Sequence, residues 1–320
     1  MERIYGPQDV TGGTSIAVVV PCYDEAATIA QVVADFRAAL PQARIVVCDN
    51  NSRDATAEIA RAAGAEVRRE TMQGKGNAVR RMLADIEADV FLLVDGDATY
   101  DAASAPVLVA RLLEERLDMV VGVREATDAA AYRAGHAWGN KGLSGAVSLL
   151  FGTPVTDMLS GYRAMSRRFA KSFPTLATGF EIETELTVHA LVLRMPTGEV
   201  RTPYGARPAD SPSKLNTWRD GFRIGRMILR LLKDERPLLF FSAVFAVLAA
   251  LSLALAAPVV AHFLATGLVP RLPTAVLAMG VMLLGFMALA AGFVLDNVTR
   301  GRRELRRLAY LAIPGPGAGG

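Results

Sequence analysis

The stretch Phe91-Leu92-Leu93-Val94-Asp95-Gly96-Asp97-Ala98-Thr99-Tyr100 decides how the chain is read. Four successive apolar residues predict a strand covered on both faces, and the run stops at two carboxylates flanking a glycine. In an open α/β sheet, ligands collect beyond the carboxyl ends of the strands, so Asp95 and Asp97 fall where a substrate would lie. The glycine is expected to permit a tight turn that lets the pair converge. Hard oxygen ligands suit Mg²⁺ or Mn²⁺ held between protein and a diphosphate. The same residues also describe a plain polar turn after a core strand, and the rest of the chain has to separate the two readings.

On either side the pattern is βα alternation. Ser15 to Val20 is an apolar β-branched run ending at Pro21-Cys22-Tyr23-Asp24-Glu25, and Thr28 to Leu40 repeats apolar residues at helical spacing. Arg44 to Cys48 predicts a second strand; Ser52 is a candidate N-cap for a helix running towards Ala63, with Gly64 as its stop. A short strand from Ala65 to Arg69 leads through Gln73-Gly74-Lys75-Gly76-Asn77 into a third helix. Beyond the opening strand come a helix over Ala105 to Arg116 and a strand over Met119 to Val123. Such alternation predicts an α/β, Rossmann-like, mainly parallel sheet with helices on both faces. Cys22 and Cys48 each fall inside a predicted strand and read as buried, reduced side chains.

The 320-residue chain is 52% hydrophobic with a mean hydropathy of +0.28, yet its charges crowd into the first 236 positions and the terminal tail. That asymmetry predicts a soluble part and a membrane part. A net charge of +3 gives no overall nucleic-acid footprint. Met1 to Gly13 has no apolar core of a secretory signal, so the front half is expected to stay cytoplasmic. Leu238 to Leu264 and Thr274 to Val294 are almost wholly apolar and longer than the roughly 20 residues that cross about 30 Å of hydrocarbon. Arginines and lysines flank the pair on both outer sides, which puts both flanks in the cytoplasm. Lys214 to Arg236 carries a basic stripe (Arg219, Arg223, Arg226, Arg230, Lys233) beside an apolar one, the pattern of a helix lying in the membrane interface. The domains expected are therefore 1–212 catalytic, 213–236 amphipathic and interfacial, 237–297 a transmembrane hairpin, and 298–320 a basic cytoplasmic tail, disordered after Ile313.

Several loops after predicted strands carry carboxylates suited to a nucleotide: Asp24 and Glu25, Asp49, then Asp95 and Asp97. Asp49 and Ser52 also fit a helix cap, and Glu25 a first-turn dipole partner. Gly74-Lys75-Gly76 lacks the spacing and the Ser/Thr of a Walker A loop. Read in order, Pro21-Cys22-Tyr23-Asp24-Glu25, Asp49-Asn50-Asn51-Ser52-Arg53-Asp54, Gly74-Lys75-Gly76-Asn77-Ala78 and Asp95-Gly96-Asp97 resemble the signatures of family-two glycosyltransferases with the GT-A fold. Asp157-Met158-Leu159-Ser160-Gly161-Tyr162-Arg163, Phe180 to Leu186, and Arg207 with Ser213-Lys214-Leu215 resemble the polyprenyl-phosphate branch of that family, the dolichyl-phosphate mannose synthases and bacterial polyprenyl-phosphate glucosyltransferases.

The resemblance implies that Pro21, Tyr23, Glu25, Asp49 and Lys75 bind the donor, and that Asp95 and Asp97 serve ribose, diphosphate and metal, with Asp97 the direct ligand. It implies that Arg207 closes over the diphosphate and that Ser160 and Arg163 lie near the acceptor phosphate. Some relatives place a further metal-binding side chain two positions past the second aspartate; here that residue is Thr99, which leaves the third protein ligand open. Arg124, Arg133, His136, Asn140 and Lys141 form a polar cluster that fits either a lipid phosphate or solvent. Asp157 is the candidate general base or acceptor-orienting carboxylate, with a turn cap as the other reading. His189 reads as a packed core residue. The expected activity is inverting, Mg²⁺- or Mn²⁺-dependent transfer of one hexose from a nucleotide-sugar, UDP-glucose ahead of GDP-mannose, to polyprenyl phosphate at the cytoplasmic face of a bacterial inner membrane. A membrane glycan synthase, a glycolipid glycosyltransferase and a non-catalytic nucleotide-sugar-binding scaffold are the alternatives. The oligomeric state is left open, a homo-oligomer included.

Overall fold

A computed structural model describes residues 13–126, 134–175, 179, 181–205 and 217–316. In chain order the elements are β1 (Ile16–Cys22), α1 (Ile29–Ala39), β2 (Arg44–Asp49), α2 (Thr56–Ala62), β3 (Glu66–Arg69), α3 (Lys75–Asp85), β4 (Val90–Leu93), α4 (Ala105–Glu114), β5 (Met119–Ala126), α5 (Ala134–Phe151), β6 (Arg163–Ser166), α6 (Arg167–Ser172), α7 (Ile182–Val192), β7 (Thr197–Tyr204), α8 (Thr217–Glu235), α9 (Pro237–Thr266) and α10 (Leu272–Leu311). The seven strands form one sheet in the order β3-β2-β1-β4-β6-β5-β7. All run parallel except β6, which is antiparallel to both β4 and β5. This is the GT-A order and bears out the mainly parallel α/β sheet.

Successive residues of β1 face opposite sides, as the period of two requires. Val18 and Val20 meet Ile29, Val33 and Phe36 of α1 and Leu108 and Leu112 of α4, while Ala17 and Val19 meet Val79 and Met82 of α3, Phe169 of α6 and Leu186 of α7. The four residues of β4 are all buried, so helices cover both faces. Cys22 and Cys48 are free and buried on opposite faces, out of reach of each other; burial pushes the Cys48 thiol up to about 12.

The register decides what shares an edge. Cys22 pairs with Asp49, and Val19 with Leu93, so the loops leaving β1, β2 and β4 emerge together. Because β6 runs the other way, with Leu93 opposite Arg163, it is the segment before β6, Asp157 to Tyr162, that arrives at this edge. β7 ends beside it, where Tyr204 bridges Tyr100 and the Gly205 amide donates to the Thr99 carbonyl at 2.9 Å.

The chain divides into two compact units, residues 1–221 with 306–320, and residues 222–305. The boundary expected at 298 therefore falls inside α10, whose last turn belongs to the first unit. Its anchor is Tyr310, whose hydroxyl donates to Asp118 Oδ2 at 2.8 Å beneath the Arg168 guanidinium, 4.2 Å from the ring centroid. Asp118 is fully buried and also accepts from Ser166 Oγ and from Arg168 Nε and Nη2. α10 is helical to Leu311, two residues before the stretch expected to be disordered, and Gly315 lies against Arg168. Tyr310→Phe removes one donor from this buried carboxylate and should destabilise the first unit by about 1.5–3 kcal/mol, read as a lower thermal midpoint in detergent; an unshifted midpoint would show that the anchor is idle.

Within the second unit, α9 and α10 have mean hydropathies of 2.6 and 2.3 over their most apolar 18 residues, of which only 6% and 17% are buried. A core helix of a soluble protein would be mostly covered; these two present apolar surface and are long enough to cross a membrane. They pack through small residues. A Cβ on Gly292 would stand 2.9 Å from Phe241 Cβ, and Ser252 Oγ donates to the Ala278 carbonyl at 2.7 Å. α9 ends where Gly267, at φ 69°, turns left-handed and its amide caps the Phe263 carbonyl.

Candidate active site

The loop after β4 is fixed by its own side chains. Gly96 is not in a left-handed conformation; that falls to Ala98, at φ 57°. Gly96 is required for a different reason than a turn, because a Cβ there would stand 2.6 Å from Cys22 Sγ on β1. Thr28, at the entrance to α1, donates to the Gly96 carbonyl at 2.6 Å. Asp97 is 3% exposed, and its Oδ1 accepts the Thr99 hydroxyl at 2.6 Å and the Thr99 amide at 3.2 Å. Thr99 thus orients Asp97, which accounts for a residue the sequence left open.

Asp95 points towards Lys75 at the start of α3, with 2.5 Å between Nζ and Oδ1. Lys75 also holds Glu183, near the start of α7, in a close ion pair. Burial alone would lower the Lys75 pKa, but the charges of Asp95 and Glu183 outweigh it and hold the ammonium well above its ordinary value. Lys75 is placed by Gly74, at φ 136°, whose amide donates to Asn50 Oδ1 at 2.6 Å. The Asn50 amide group in turn donates to the Glu70 and Met72 carbonyls. Behind Asp95 lies Gly161: a Cβ there would stand 2.6 Å from Asp95 Oδ2. The Gly161 amide donates to the Tyr100 hydroxyl at 2.8 Å.

Pro21 is the buried penultimate residue of β1 rather than part of the loop, and Tyr23 and Glu25, just beyond it, are half-buried. The Asn50 amide donates to the Cys22 carbonyl at 2.8 Å, which joins this loop to Asp49. Asp49 is buried, and its Oδ1 accepts the Ser52 amide at 3.2 Å. Ser52 is not the cap of α2, which begins at Thr56. Asp54 takes the Thr56 amide and hydroxyl instead, while Ser52 Oγ accepts the Asp24 amide at 3.1 Å. Pro21, Tyr23, Glu25, Asp49, Asp95 and Asp97 thus lie at one edge of the sheet, with Lys75 reaching Asp95 from α3.

On the other side, Arg124 Nε and Nη2 grip the two oxygens of Asp157 at 2.7 and 2.8 Å, and the Arg124 amide adds a third contact. The same guanidinium stands 5.4 Å from the Tyr204 ring centroid. Asp157 is 3% exposed. Ser160 and Arg163, which the resemblance implies lie near the acceptor phosphate, are completely buried. Ser160 Oγ donates to the Gly122 carbonyl, and Arg163 donates to the Ser160 and Met158 carbonyls and to Thr187 Oγ1. They shape the Asp157–Tyr162 loop from within. Arg133, Arg207 and the Lys141 side chain lie outside the described residues, as do the side chains of His136 and Asn140.

Glu183, Gly161, Tyr100 and Tyr204 were not singled out from sequence. Glu183 had a signal: it is the acid of Glu181, Glu183 and Glu185 that shares a helical face with Leu186 and Ala190. The other three depend on strand order.

His189 is buried between Phe169 and Phe173, with Nε2 3.3 Å from Ser172 Oγ, as a core residue should be. Burial, with the Arg306 charge, lowers its pKa to about 4. Because the unfolded chain binds this proton near pH 6.5, the stability His189 contributes is complete above that pH and is lost as pH falls towards 4. The loss reaches about 3 kcal/mol in all. Unfolding measured from pH 7 to 4 should show this slope in the native protein and a flatter one in His189→Asn; equal slopes would contradict it.

Among the described residues no group of three or more His, Cys, Asp or Glu side chains could enclose a metal ion. Two carboxylates one residue apart fit instead a hard cation that completes its shell with phosphate oxygens and water, the usual habit of Mg²⁺.

A parallel sheet with one reversed strand, and paired aspartates at its carboxyl edge, define a GT-A glycosyltransferase. Residues 17–173 match the model of Glycosyl transferase family 2. Glycosyltransferase AglJ of Haloferax volcanii is 34% identical over 301 residues, 93% of this chain and 98% of that protein. The dolichyl-phosphate hexose transferase of the same organism is 31% identical over 222 residues, 69% of this chain and 95% of that one. Mycobacterium tuberculosis glucosyl-3-phosphoglycerate synthase, solved in complex with Mn²⁺, uridine-diphosphate-glucose and phosphoglyceric acid, is 25% identical with a TM-score of 0.54, covering 69% of this chain and 79% of that one. The chain belongs to glycosyltransferase family 2 and is a glycosyltransferase.

Proposed function

We propose that this enzyme transfers a single hexose, from UDP-glucose ahead of GDP-mannose, to the phosphate of a polyprenyl phosphate at the cytoplasmic face of a bacterial inner membrane, with inversion. The observation that carries the reading is that one chain holds both the Asp95–Asp97 edge and two long helices whose apolar surface is left uncovered. A soluble acceptor would need no such helices. The dolichyl-phosphate hexose transferase relative and the uridine-diphosphate-glucose complex support acceptor and donor respectively.

Pro21, Tyr23, Glu25 and Asp49 would surround the nucleoside, Asp95 and Asp97 would hold Mg²⁺ or Mn²⁺, and Arg207, two residues past Gly205, would close over the diphosphate. Bound there, the ion would offset charge developing on the departing diphosphate. A phosphate monoester, with a second pKa near about 6, is already mostly dianionic at neutral pH and needs no base. Asp157, bidentate to Arg124, therefore acts by orientation: it aims the guanidinium at the cleft against Tyr204. Arg133 and Lys141 would add positive charge for the lipid phosphate. In-line attack on an α-linked donor gives a β-linked product.

The test is a donor screen on the purified full-length protein with Mg²⁺ and undecaprenyl phosphate, read by mass spectrometry of the lipid fraction. One hexose added to the lipid from one donor is the expected outcome. A lipid mass unchanged with every donor would overturn the acceptor assignment.

A further inference from the structure

Lys75 is a resident cation on one of the two carboxylates that would hold the metal. Its Nζ stands 2.5 Å from Asp95 Oδ1, and Glu183 grips it from the other side. The exposures are graded: the Glu183 side chain is 6% exposed, Lys75 10% and Asp95 26%. Of the three, Asp95 is therefore the most open to solvent and Glu183 the most enclosed. The neighbouring Asp97 is tied to Thr99 through its Oδ1. At Asp95 a fixed ammonium and an incoming divalent ion contend for one carboxylate. With Asp95 engaged by an ion, like charges repel, and a buried ammonium without a counter-charge is unfavourable.

From this we infer that Glu183 is a positioning residue for metal loading. It supplies the counter-charge that lets Lys75 release Asp95, so that Asp95 can join Asp97 on the ion. The inference rests on the reading of Asp95 and Asp97 as metal ligands. No bond is made or broken and no proton moves; Lys75 stays charged and changes partner.

The test measures Mn²⁺ binding to the full-length protein by the electron paramagnetic resonance of free Mn²⁺, in the presence of UDP or GDP, whichever supports binding by the native protein. Glu183→Gln leaves Lys75 with Asp95 alone and should weaken Mn²⁺ binding about tenfold. The pair Lys75→Met with Glu183→Gln removes the competitor as well and, at saturating nucleotide, should bind Mn²⁺ more tightly than Glu183→Gln alone, with a thermal melt verifying the fold. Native-like binding by Glu183→Gln would overturn the inference, and so would a double variant no tighter than the single, since that pattern describes a carboxylate that only props the fold. Should Glu183→Gln not fold, the double variant is compared with Lys75→Met alone; equal Mn²⁺ binding is expected, since Glu183 has no lysine left to hold, and weaker binding in the pair overturns the inference. Mn²⁺ bound equally by native protein and Asp97→Ala would instead sink the metal-ligand reading underneath.

Discussion

Asp97→Ala is expected to lower sugar transfer about a thousandfold while leaving the protein folded. Oriented charge at a developing leaving group is worth about 10²–10³ for a single donor, and this residue is assigned the ion that carries much of that stabilisation. Its carboxylate is buried and already aligned through Oδ1 by the Thr99 hydroxyl and amide, so the native site needs little reorganisation. Alanine leaves those two donors without their acceptor, at about 1–3 kcal/mol, which a core covering both faces of the sheet should tolerate. Initial rates of lipid-extractable label, taken alongside far-ultraviolet circular dichroism, measure both halves. Activity within tenfold of native in a folded Asp97→Ala protein would remove Asp97 from the mechanism.

Gly161→Ala should cost about a hundredfold in rate with only a small change in stability. The added methyl would lie 2.6 Å from Asp95 Oδ2 and 3.0 Å from its Cγ, so the carboxylate must turn. Lys75 resists that turn on one side, while the bond from the Gly161 amide to Tyr100 keeps the loop from backing away. Displacing a positioned group by about 1 Å is enough for a loss near 10². Because the defect concerns Asp95, the apparent requirement for metal should rise together with the fall in kcat. A native metal requirement and native kcat in this variant would show that Asp95 is not held by its neighbours.

Much of the sheet was legible because its strands obey local rules. Val18 and Val20 alternate with Ala17 and Val19, the helices between strands repeat every 3.6 residues, and Gly64, at φ 88°, ends α2 as a glycine stop should. Boundaries failed where one short contact outweighed a local preference, as when Asp54 took Thr56 and moved the start of α2 past Ser52. β6 could not be foreseen in this way, since Arg163-Ala164-Met165-Ser166 carries no mark of direction. Its reversal brings Gly161 against Asp95 and commits Ser160 and Arg163 to the interior. The ordered motifs identified the carboxylates, whereas the partners that aim them, Glu183 above all, come from elements far apart in sequence. The basic residues of the tail dominate its composition and hid the contact of Tyr310 with the buried Asp118, which no local pattern marks.

The most direct measurement takes full-length enzyme, the labelled donor identified by the screen, and undecaprenyl phosphate, with and without chelator, and determines the anomeric configuration of the sugar on the extracted lipid by proton magnetic resonance. A β-linked single hexose, abolished by chelation and restored by Mg²⁺ or Mn²⁺, is the expected result. An α-linked product, or undiminished transfer in chelator, would contradict metal-assisted inversion at Asp95 and Asp97.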